Sequence, residues 1–139
     1  MADDFPPIYL VSACLVGLPA RYDGRTRPSP ACRRAMGNSI WIPVCPEQLG
    51  GLPTPRPAAD IIGGTGKDVL AGRARVVTRP GMDVTDHFIA GAEQVLAIAR
   101  AQPVTAVFLK GRSPSCGVSP LPGVTAALLL AHGFEVREF

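Results

Sequence analysis

The stretch VTAVFLKGRSPSCG, residues 104–117, joins a nearly continuous apolar run to a loop that carries a cysteine. Such a run is typical of a strand buried on both faces of a parallel sheet. Two other stretches repeat the pattern: SACLVG, residues 12–17, follows the β-like run 8–11, and WIPVCPEQLGG, residues 41–51, overlaps the run 40–44 and continues past its end. Because ligands of open α/β sheets bind at the carboxyl ends of strands, we expect Cys14, Cys45 and Cys116 to share one site.

The length and composition of the chain predict one globular domain over residues 1–139. Hydrophobic residues make up 47% of the sequence and charged residues 18%, which excludes a disordered chain. The net charge of +3 is mild, and the arginines are scattered without the interleaved aromatic residues of a nucleic-acid surface. The chain is therefore expected to bind a small anionic or polar ligand and no nucleic acid, as a monomer or small homo-oligomer.

Neither end of the sequence suggests a membrane or an exported protein. The start, MADDFPP, has no basic region and no long apolar core of a signal peptide, and the apolar stretch 124–131 is too short to span a bilayer. The prediction is a cytoplasmic protein with no membrane partner, in which thiols stay reduced. There, four cysteines favour metal ligands or catalytic groups over disulfides, although buried free cysteines are an open alternative.

Alternating strand and helix patterns predict an α/β fold. The predicted strands are residues 8–11, 40–44, 74–78, 104–109 and 134–137, and the predicted helices are 28–36, 84–101 and 123–132, with a helical turn at 46–48. Residues 68–71 are expected to pair with 74–78 in a hairpin around Gly72. The whole predicts a single open, largely parallel sheet flanked by helices, Rossmann-like or flavodoxin-like, with the cysteines at strand carboxyl ends.

The segment GGTGKD, residues 63–68, suggests a phosphate-binding loop. It lacks the full glycine–lysine–hydroxyl spacing of that motif, and no clear strand pattern precedes it. We therefore interpret it as a turn, and keep a nucleotide-binding domain that uses this segment as a weaker hypothesis.

The cysteine spacing itself indicates no standard zinc or redox motif, because the sequence contains no C-x-x-C pair. Three widely separated thiolates could each bind one iron of an iron–sulfur cluster, since thiolate is the soft ligand that such clusters use. Spacing alone leaves buried, inert thiols as an equal alternative.

Five motifs together resemble a known family: SACLVG, RYDG, IPVCPEQLGGLPTPR, GMDVTDHFIAGA and LKGRSPSCG. They are similar to a bacterial family long catalogued as a domain of unknown function, one branch of which is the thiouracil desulfidases. The resemblance implies a 4Fe-4S cluster held by Cys14, Cys45 and Cys116, with the fourth iron open.

An open, Lewis-acidic iron could bind a thiocarbonyl sulfur and polarise its carbon for attack by water. The implied activity is non-redox desulfuration of a thiolated pyrimidine or related small thioamide, such as 2-thiouracil to uracil plus sulfide. The competing hypothesis is a non-catalytic iron–sulfur or zinc-binding module with a structural or sensing role.

Several residues near the cysteines are candidates for the chemistry. Glu47, two residues past Cys45, is our candidate general base; without the resemblance, a first-turn acid that complements the helix dipole is the simpler interpretation. Ser113 is a candidate catalytic residue and Ser115 a candidate substrate-binding residue, with a role as turn formers beside Pro114 left open.

Lys110 and Arg56 are candidate substrate-binding residues. Lys110 could also be a solvated lysine at a strand end, and Arg56 could instead tie loops together.

Other side chains are expected to lie outside the chemistry. Cys32 falls inside the predicted helix 28–36 and is not expected to bind the cluster. His87 and His132 are predicted to be surface or capping residues, and Asp83 a helix cap. Trp41 is expected to pack, with stacking on a pyrimidine as the less common alternative.

Overall fold

Residues 5–139 are described by a computed structural model whose central layer is a four-stranded parallel sheet. The elements are, in chain order, β1 (Ile8–Ser12), a 3-10 turn (Ala13–Val16), α1 (Pro30–Met36), β2 (Ile40–Val44), α2 (Pro46–Leu49), β3 (Ala59–Ile62), α3 (Gly66–Leu70), β4 (Arg75–Thr78), α4 (Thr85–Ala101), β5 (Ala106–Leu109), α5 (Val124–Ala131) and β6 (Val136–Glu138). The predicted α/β class and the parallel sheet flanked by helices are confirmed.

The order of the strands in the sheet is β2-β1-β5-β6, and all three pairings are parallel. From β1 the chain moves outward to β2 on one side, and from β5 it moves outward to β6 on the other. The direction of winding therefore reverses between β1 and β5. A crevice opens beyond the carboxyl ends of the strands at such a switch point, and ligands bind there.

Apolar side chains fill both faces of the sheet. On one face, α4 and α5 pack over β1 and β5, with Val95, Leu96 and Leu129 buried among the strand residues. On the other face, α1 packs with Cys32 and Met36 against Val11 and Phe108. All four residues of β5 are buried, as predicted for residues 104–109.

A second, two-stranded antiparallel sheet contradicts one sequence prediction. The partner of β4 is β3, which pairs Ala59 with Thr78, so the predicted hairpin between 68–71 and 74–78 is wrong. Residues 68–71 are instead helical, or next to helix α3, because Thr65 and Asp68 form a capping box in which Thr65 N donates to Asp68 Oδ2 over 2.8 Å. A satisfied helix start outweighs the weak strand pattern there.

The structure of residues 63–68 argues against the phosphate-binding loop. A strand does precede Gly63, contrary to the sequence interpretation, but it is antiparallel and belongs to the small sheet. The Asp68 carboxylate occupies the space beside Gly64, where a Cβ atom would lie 2.4 Å from Oδ2. An acidic group in this position repels a phosphate. Gly63 and Gly64 form a bend, as expected, but residues 66–68 are the first turn of α3 and not part of a loop.

The helices that were predicted, 28–36, 84–101 and 123–132 with the turn 46–48, agree with α1, α4, α5 and α2 to within two residues, whereas α3 was not predicted. Ser29 caps α1 by accepting from Cys32 N over 3.1 Å, and the buried stripe of α4 is the predicted one, with Phe88, Ala92, Val95, Leu96 and Ala99. Within residues 5–139, none of the helices combines the length and apolar character needed to cross a membrane.

Candidate active site

A cleft of about 310 Å³ opens at the carboxyl edge of the main sheet, where the winding reverses between β1 and β5. Its volume lies at the small end of the range for small-molecule sites. The side chains with chemical potential that line it include Cys14, Cys45, Cys116, Glu47, Lys110 and Arg56. The predicted site residues are therefore brought together, with Ser113 and Ser115 in the same wall.

Each cysteine reaches the cleft from the end of a different strand. Cys14 lies in the 3-10 turn that follows β1, Cys45 is the N-cap residue of α2 directly after β2, and Cys116 lies in the loop after β5. All three are free thiols. Cys45 lies close enough to Cys14 and Cys116 that its charge adds to the burial that raises the pKa of both thiols.

The three thiols of the cleft are the kind of donor that an iron–sulfur cluster uses. Among residues 5–139, no three His, Cys, Asp or Glu side chains converge tightly enough to bind one metal ion. Tetrahedral zinc needs such convergence. In an iron–sulfur cluster each thiolate binds a different iron, so the ligands stand apart around the group, as three thiols around one cleft do.

Burial raises the pKa of two of these thiols, Cys14 and Cys116, and so keeps them protonated before any metal binds. It raises the pKa of Cys116 to about 12, against the hydrogen bonds of Ser12 and Ser115, which lower it. Burial also raises the pKa of Cys14, and the nearby Lys110 charge opposes this. Because metals bind thiolate, cluster binding must release these protons.

The Cys116 loop is held from two sides. The first amides of α5 donate to it: Val124 N to Pro114 O and Thr125 N to Ser115 O, both over 2.9 Å. From β6, Glu138 Oε2 accepts from Val118 N and Ser119 N over 2.6 and 2.9 Å. Hydrogen bonds from these amides, above all from that of Ser119, lower the pKa of Glu138. The loop is thus fixed before a ligand enters.

Ser12, the last residue of β1, is a buried residue that sequence analysis missed. Its Oγ accepts from Lys110 N over 2.9 Å, which ties the ends of β1 and β5 together. Burial raises the pKa of the Cys116 thiol, and the Ser12 side chain acts in the opposite direction. Its position beside the SACLVG cysteine was the available signal.

The Glu47 carboxylate is held by two donors at the wall of the cleft. Arg56 Nε donates to Oε1 over 2.9 Å, and Ser115 Oγ donates to Oε2 over 3.0 Å. A carboxylate has about four lone-pair positions, so acceptor capacity remains for a water or substrate group. Glu47 also lies in the first turn of α2, so its carboxylate can complement the helix dipole while it lines the cleft.

Ser113 and Ser115 serve as turn formers and as a hydroxyl chain at once. Ser113 Oγ accepts from Ser115 N and Cys116 N over 3.2 and 3.1 Å, which closes the turn around Pro114. It also lies 3.0 Å from Ser115 Oγ. Since two amides already donate to Ser113 Oγ, its proton points to Ser115 Oγ. The single proton of Ser115 is shared between Glu47 Oε2 at 3.0 Å and Cys116 Sγ at 3.7 Å.

Lys110 and Arg56, both predicted to bind substrate, differ in what they have left to offer. Lys110 Nζ donates to Gly111 O, and burial lowers its pKa, but it lines the cleft with its other protons free. Arg56 is buried and donates to Glu47, Thr54, Pro53, Ala20 and Cys45. Its guanidinium therefore faces protein acceptors on every side.

The short α2 is pressed against α4 through two glycines. A Cβ atom on Gly91 would lie 1.9 Å from Pro46 O, and one on Gly50 would lie 2.0 Å from His87 O. Gln94 Nε2 adds a hydrogen bond to Leu49 O over 2.9 Å. Helix α4 thus fixes the segment that carries Cys45 and Glu47.

Besides Ser12, five further polar or charged side chains that sequence analysis did not assign to the site line the cleft: Arg21, Tyr22, Asp60, Arg79 and Arg112. Asp60 lies in β3, and Arg79 directly follows β4. Both reach the cleft from the small sheet, which sequence analysis did not predict.

Cys32 and Trp41, which we expected to lie outside the chemistry, do not line the cleft. Cys32 is fully buried in the apolar cluster under α1, where burial raises its pKa to about 11. Trp41 is exposed, contrary to the expectation that it packs: the guanidinium of Arg33 covers its ring, 5.5 Å from the centroid, and the residue does not line the cleft.

The two histidines and Asp83 make local contacts at helix ends or between helices. His87 Nδ1 is 2.8 Å from Gly50 O, and His132 Nδ1 is 2.7 Å from Arg100 Nη2. Asp83 Oδ1 accepts from Thr85 N, the first amide of α4, over 2.9 Å, which is the predicted capping contact.

Comparison with known proteins gives three matches. The model of a family described as 2-thiouracil desulfurase matches residues 9–138. The uncharacterized protein YbbK of Bacillus subtilis (strain 168) is 44% identical, over 91% of this chain and 92% of its own length. A solved structure described as the 4Fe-4S-dependent thiouracil desulfidase TudS is 37% identical with a TM-score of 0.76, and covers 95% of this chain and 90% of that one.

Proposed function

The chain belongs to the 2-thiouracil desulfurase family, and we propose that it desulfurates a thiolated pyrimidine, such as 2-thiouracil, with a 4Fe-4S cluster. Water supplies the oxygen of the new carbonyl and sulfur leaves as hydrosulfide, so the reaction needs no net oxidation or reduction. A small thioamide of this size suits a cleft of about 310 Å³.

One observation carries the proposal: three thiols from three strand ends line one cleft, while the fourth cysteine is packed in the core. Cys14, Cys45 and Cys116 are the ligands we propose for the cluster. When bound, a cluster with three protein ligands supplies a Lewis-acidic iron with an open position for a soft sulfur.

The chain's own residues supply the proton transfers and the orientation. We assign Glu47 as the general base, because its carboxylate lines the cleft two residues from Cys45 and keeps acceptor capacity for the attacking water. Ser113 and Ser115 hold that carboxylate through their hydroxyl chain. Lys110 contributes positive charge at the wall where an anionic group of the substrate, or hydrosulfide, would lie.

The competing hypothesis, a non-catalytic cluster or zinc module, leaves the Glu47 network without a purpose. A structural centre needs its thiolates and a dry shell, not a carboxylate, two hydroxyls and a lysine around an open cleft.

We further propose a bacterial, cytoplasmic enzyme of one catalytic domain, a monomer or small homo-oligomer, with a small-molecule partner and no nucleic-acid partner. A reducing compartment keeps its thiols available for iron.

The test is anaerobic reconstitution followed by incubation with 2-thiouracil. The iron-loaded protein should be brown, with the broad thiolate-to-iron absorbance near ~400 nm, and should release sulfide. The matched controls are the same protein without metal and the protein loaded with zinc, which should release none. Equal activity in the zinc-loaded protein would contradict the proposal.

A further inference from the structure

The geometry points to Arg56 as a positioning residue: we propose that its single guanidinium fixes the Glu47 carboxylate and donates to the sulfur of Cys45, and does not bind the substrate. The inference rests on the proposed function, because it assigns Glu47 as the base and Cys45 as a cluster ligand. It replaces the substrate-binding role that the sequence suggested for Arg56.

The N–H groups of the Arg56 guanidinium are all engaged by acceptors within the protein. An arginine side chain has five N–H donors. Nε donates to Glu47 Oε1 over 2.9 Å, Nη1 to Thr54 Oγ1 over 2.8 Å and to Pro53 O over 3.3 Å. Nη2 donates to Ala20 O over 2.9 Å and to Cys45 Sγ over 3.8 Å. Every donor has a protein acceptor, so none is left for a substrate.

Arg56 is also buried, together with the carboxylate that it pairs with. Among residues 5–139, Arg56 is the one charged side chain that is buried, with 8% of its surface exposed. A buried cation is stable only when it is paired and hydrogen-bonded. Glu47 is the paired anion, with 14% of its side chain exposed. The pair is therefore a fixed unit, and the orientation of the carboxylate depends on Arg56.

Cys45 changes from a hydrogen-bond donor to an acceptor when it becomes a cluster ligand. As a thiol, Cys45 Sγ donates to Ala20 O over 3.7 Å. As a thiolate it can only accept, and Arg56 Nη2 is the donor that the structure places beside it. Hydrogen bonds and positive charge at a cluster sulfur favour the more reduced, more negative cluster, and so raise its potential.

The experiment compares Arg56→Lys with the wild type, using Arg73→Lys as the matched control. Like Arg56, Arg73 forms an ion pair with a carboxylate, here that of Asp68. This pair lies on the surface and away from the cleft, and 64% of the Arg73 side chain is exposed. Lysine keeps the charge but cannot span Glu47, Ala20 and Cys45 together. Arg56→Lys should lose roughly 10–100-fold in kcat, as supporting residues of metal sites do, with KM nearly unchanged.

A double-mutant cycle with Glu47→Gln shows whether Arg56 acts through Glu47. If it does, Glu47→Gln/Arg56→Lys should be no slower than Glu47→Gln alone. Additive losses in kcat would show that Arg56 does not act through Glu47, and a rise in KM with kcat unchanged would mean that Arg56 contacts the substrate. Either result would overturn the inference.

The midpoint potential of the cluster is the readout that does not depend on turnover. Glu47→Gln/Arg56→Gln removes both charges together and leaves no unpaired buried ion, so it remains measurable if Arg56→Lys does not fold. Its cluster should have a more negative potential than that of Glu47→Gln alone, and equal potentials would overturn the contact with Cys45. If the wild type releases no sulfide from 2-thiouracil, the proposed function fails, while this comparison still decides the inference.

Discussion

Cys116 shows how the protein prepares a thiol for metal at the scale of one residue. It is buried, which alone raises its pKa, and hydrogen bonds from Ser12 and Ser115 act in the opposite direction. Burial of this kind leaves a thiol inert unless a metal replaces its proton. The surroundings of Cys116 therefore favour iron binding over free thiol chemistry.

Replacing a proposed ligand should remove the cluster. Cys14→Ala, Cys45→Ala and Cys116→Ala should each lose the iron of the anaerobically reconstituted protein, because each thiolate serves a different iron. Iron and acid-labile sulfide, measured per chain, check this. Cys32→Ala is the matched control, since Cys32 packs in the apolar core, and it should keep both cluster and activity. Loss of iron in Cys32→Ala to the same degree as in the other three would indicate a closed four-cysteine centre.

Glu47→Gln should separate catalysis from assembly. The amide is similar in shape and can still accept from Arg56 or Ser115, so the cluster spectrum should be retained. Turnover of 2-thiouracil should fall by on the order of 10²-fold or more, as for the loss of a general base. Wild-type turnover in this variant would leave Glu47 with only its helix-dipole role.

The sequence was sufficient to predict residues whose roles depend on their own strand end. The strand-end pattern predicted that Cys14, Cys45 and Cys116 share one cleft, and the structure brings them together there with Glu47. Their proposed roles as cluster ligands and general base came from the family resemblance. Arg56 was found, but its role could not be derived, because its acceptors come from Ala20, Thr54 and Cys45, which are distant in the chain or reached only through the folded loop. Ser12 was missed because a small polar residue at a strand end carries no pattern of its own.

At the scale of elements, the site depends on a four-residue helix that has little stability alone. Isolated helices of this length do not form in water, so α2 owes its shape to packing. Helix α4 provides that packing, with Gly91 against Pro46 O and Gln94 against Leu49 O. The longest helix of the described chain thus acts as the support for the shortest.

Gly91→Ala should therefore impair a site that it does not touch. The added methyl group would overlap with Pro46 O, and α2 or α4 must shift. Overpacking of this kind costs about 1–3 kcal/mol of the free energy of unfolding, and the shift should also reduce cluster occupancy. Denaturant unfolding and iron content test this. Ala97→Ser, on the exposed side of α4, should change neither quantity, and an unaffected Gly91→Ala would show that the contact is not needed.

Predictability at this scale followed the strength of the periodic pattern. The buried strand 104–109 and helix 84–101 were predicted because each has a long apolar run or stripe. Strand Ala59–Ile62 was missed, because it is short, half exposed and preceded by prolines. Its absence from the prediction led to the wrong partner for β4, and the capping box at Thr65 was not recognised.

At the scale of the whole molecule, the three proposed ligands join segments that are far apart in the sequence. Cys14 follows β1, Cys45 follows β2 and Cys116 follows β5, so a cluster would cross-link most of the parallel sheet at its carboxyl edge. Parallel strands cannot pair through short turns, and their pairing is slow and costly to close. A group that binds only the folded arrangement stabilises it by mass action.

Removal of iron should therefore lower the thermal stability of the wild type. The midpoint of thermal unfolding, measured anaerobically with and without chelator, should fall in the chelated protein. Cys14→Ala without added iron should unfold near the temperature of the chelated wild type. Equal midpoints with and without iron would mean that the cluster contributes nothing to holding the three segments together.

The central claim is that the cluster desulfurates a thiocarbonyl by adding water, without electron transfer. The most direct measurement is the stoichiometry of uracil and sulfide released from 2-thiouracil by the reconstituted wild type under anaerobic conditions, with no reductant or oxidant added. We predict that both products form in equal amounts over many turnovers. Product formation that stops without an added electron donor, or a fully loaded protein that releases neither product, would contradict the account.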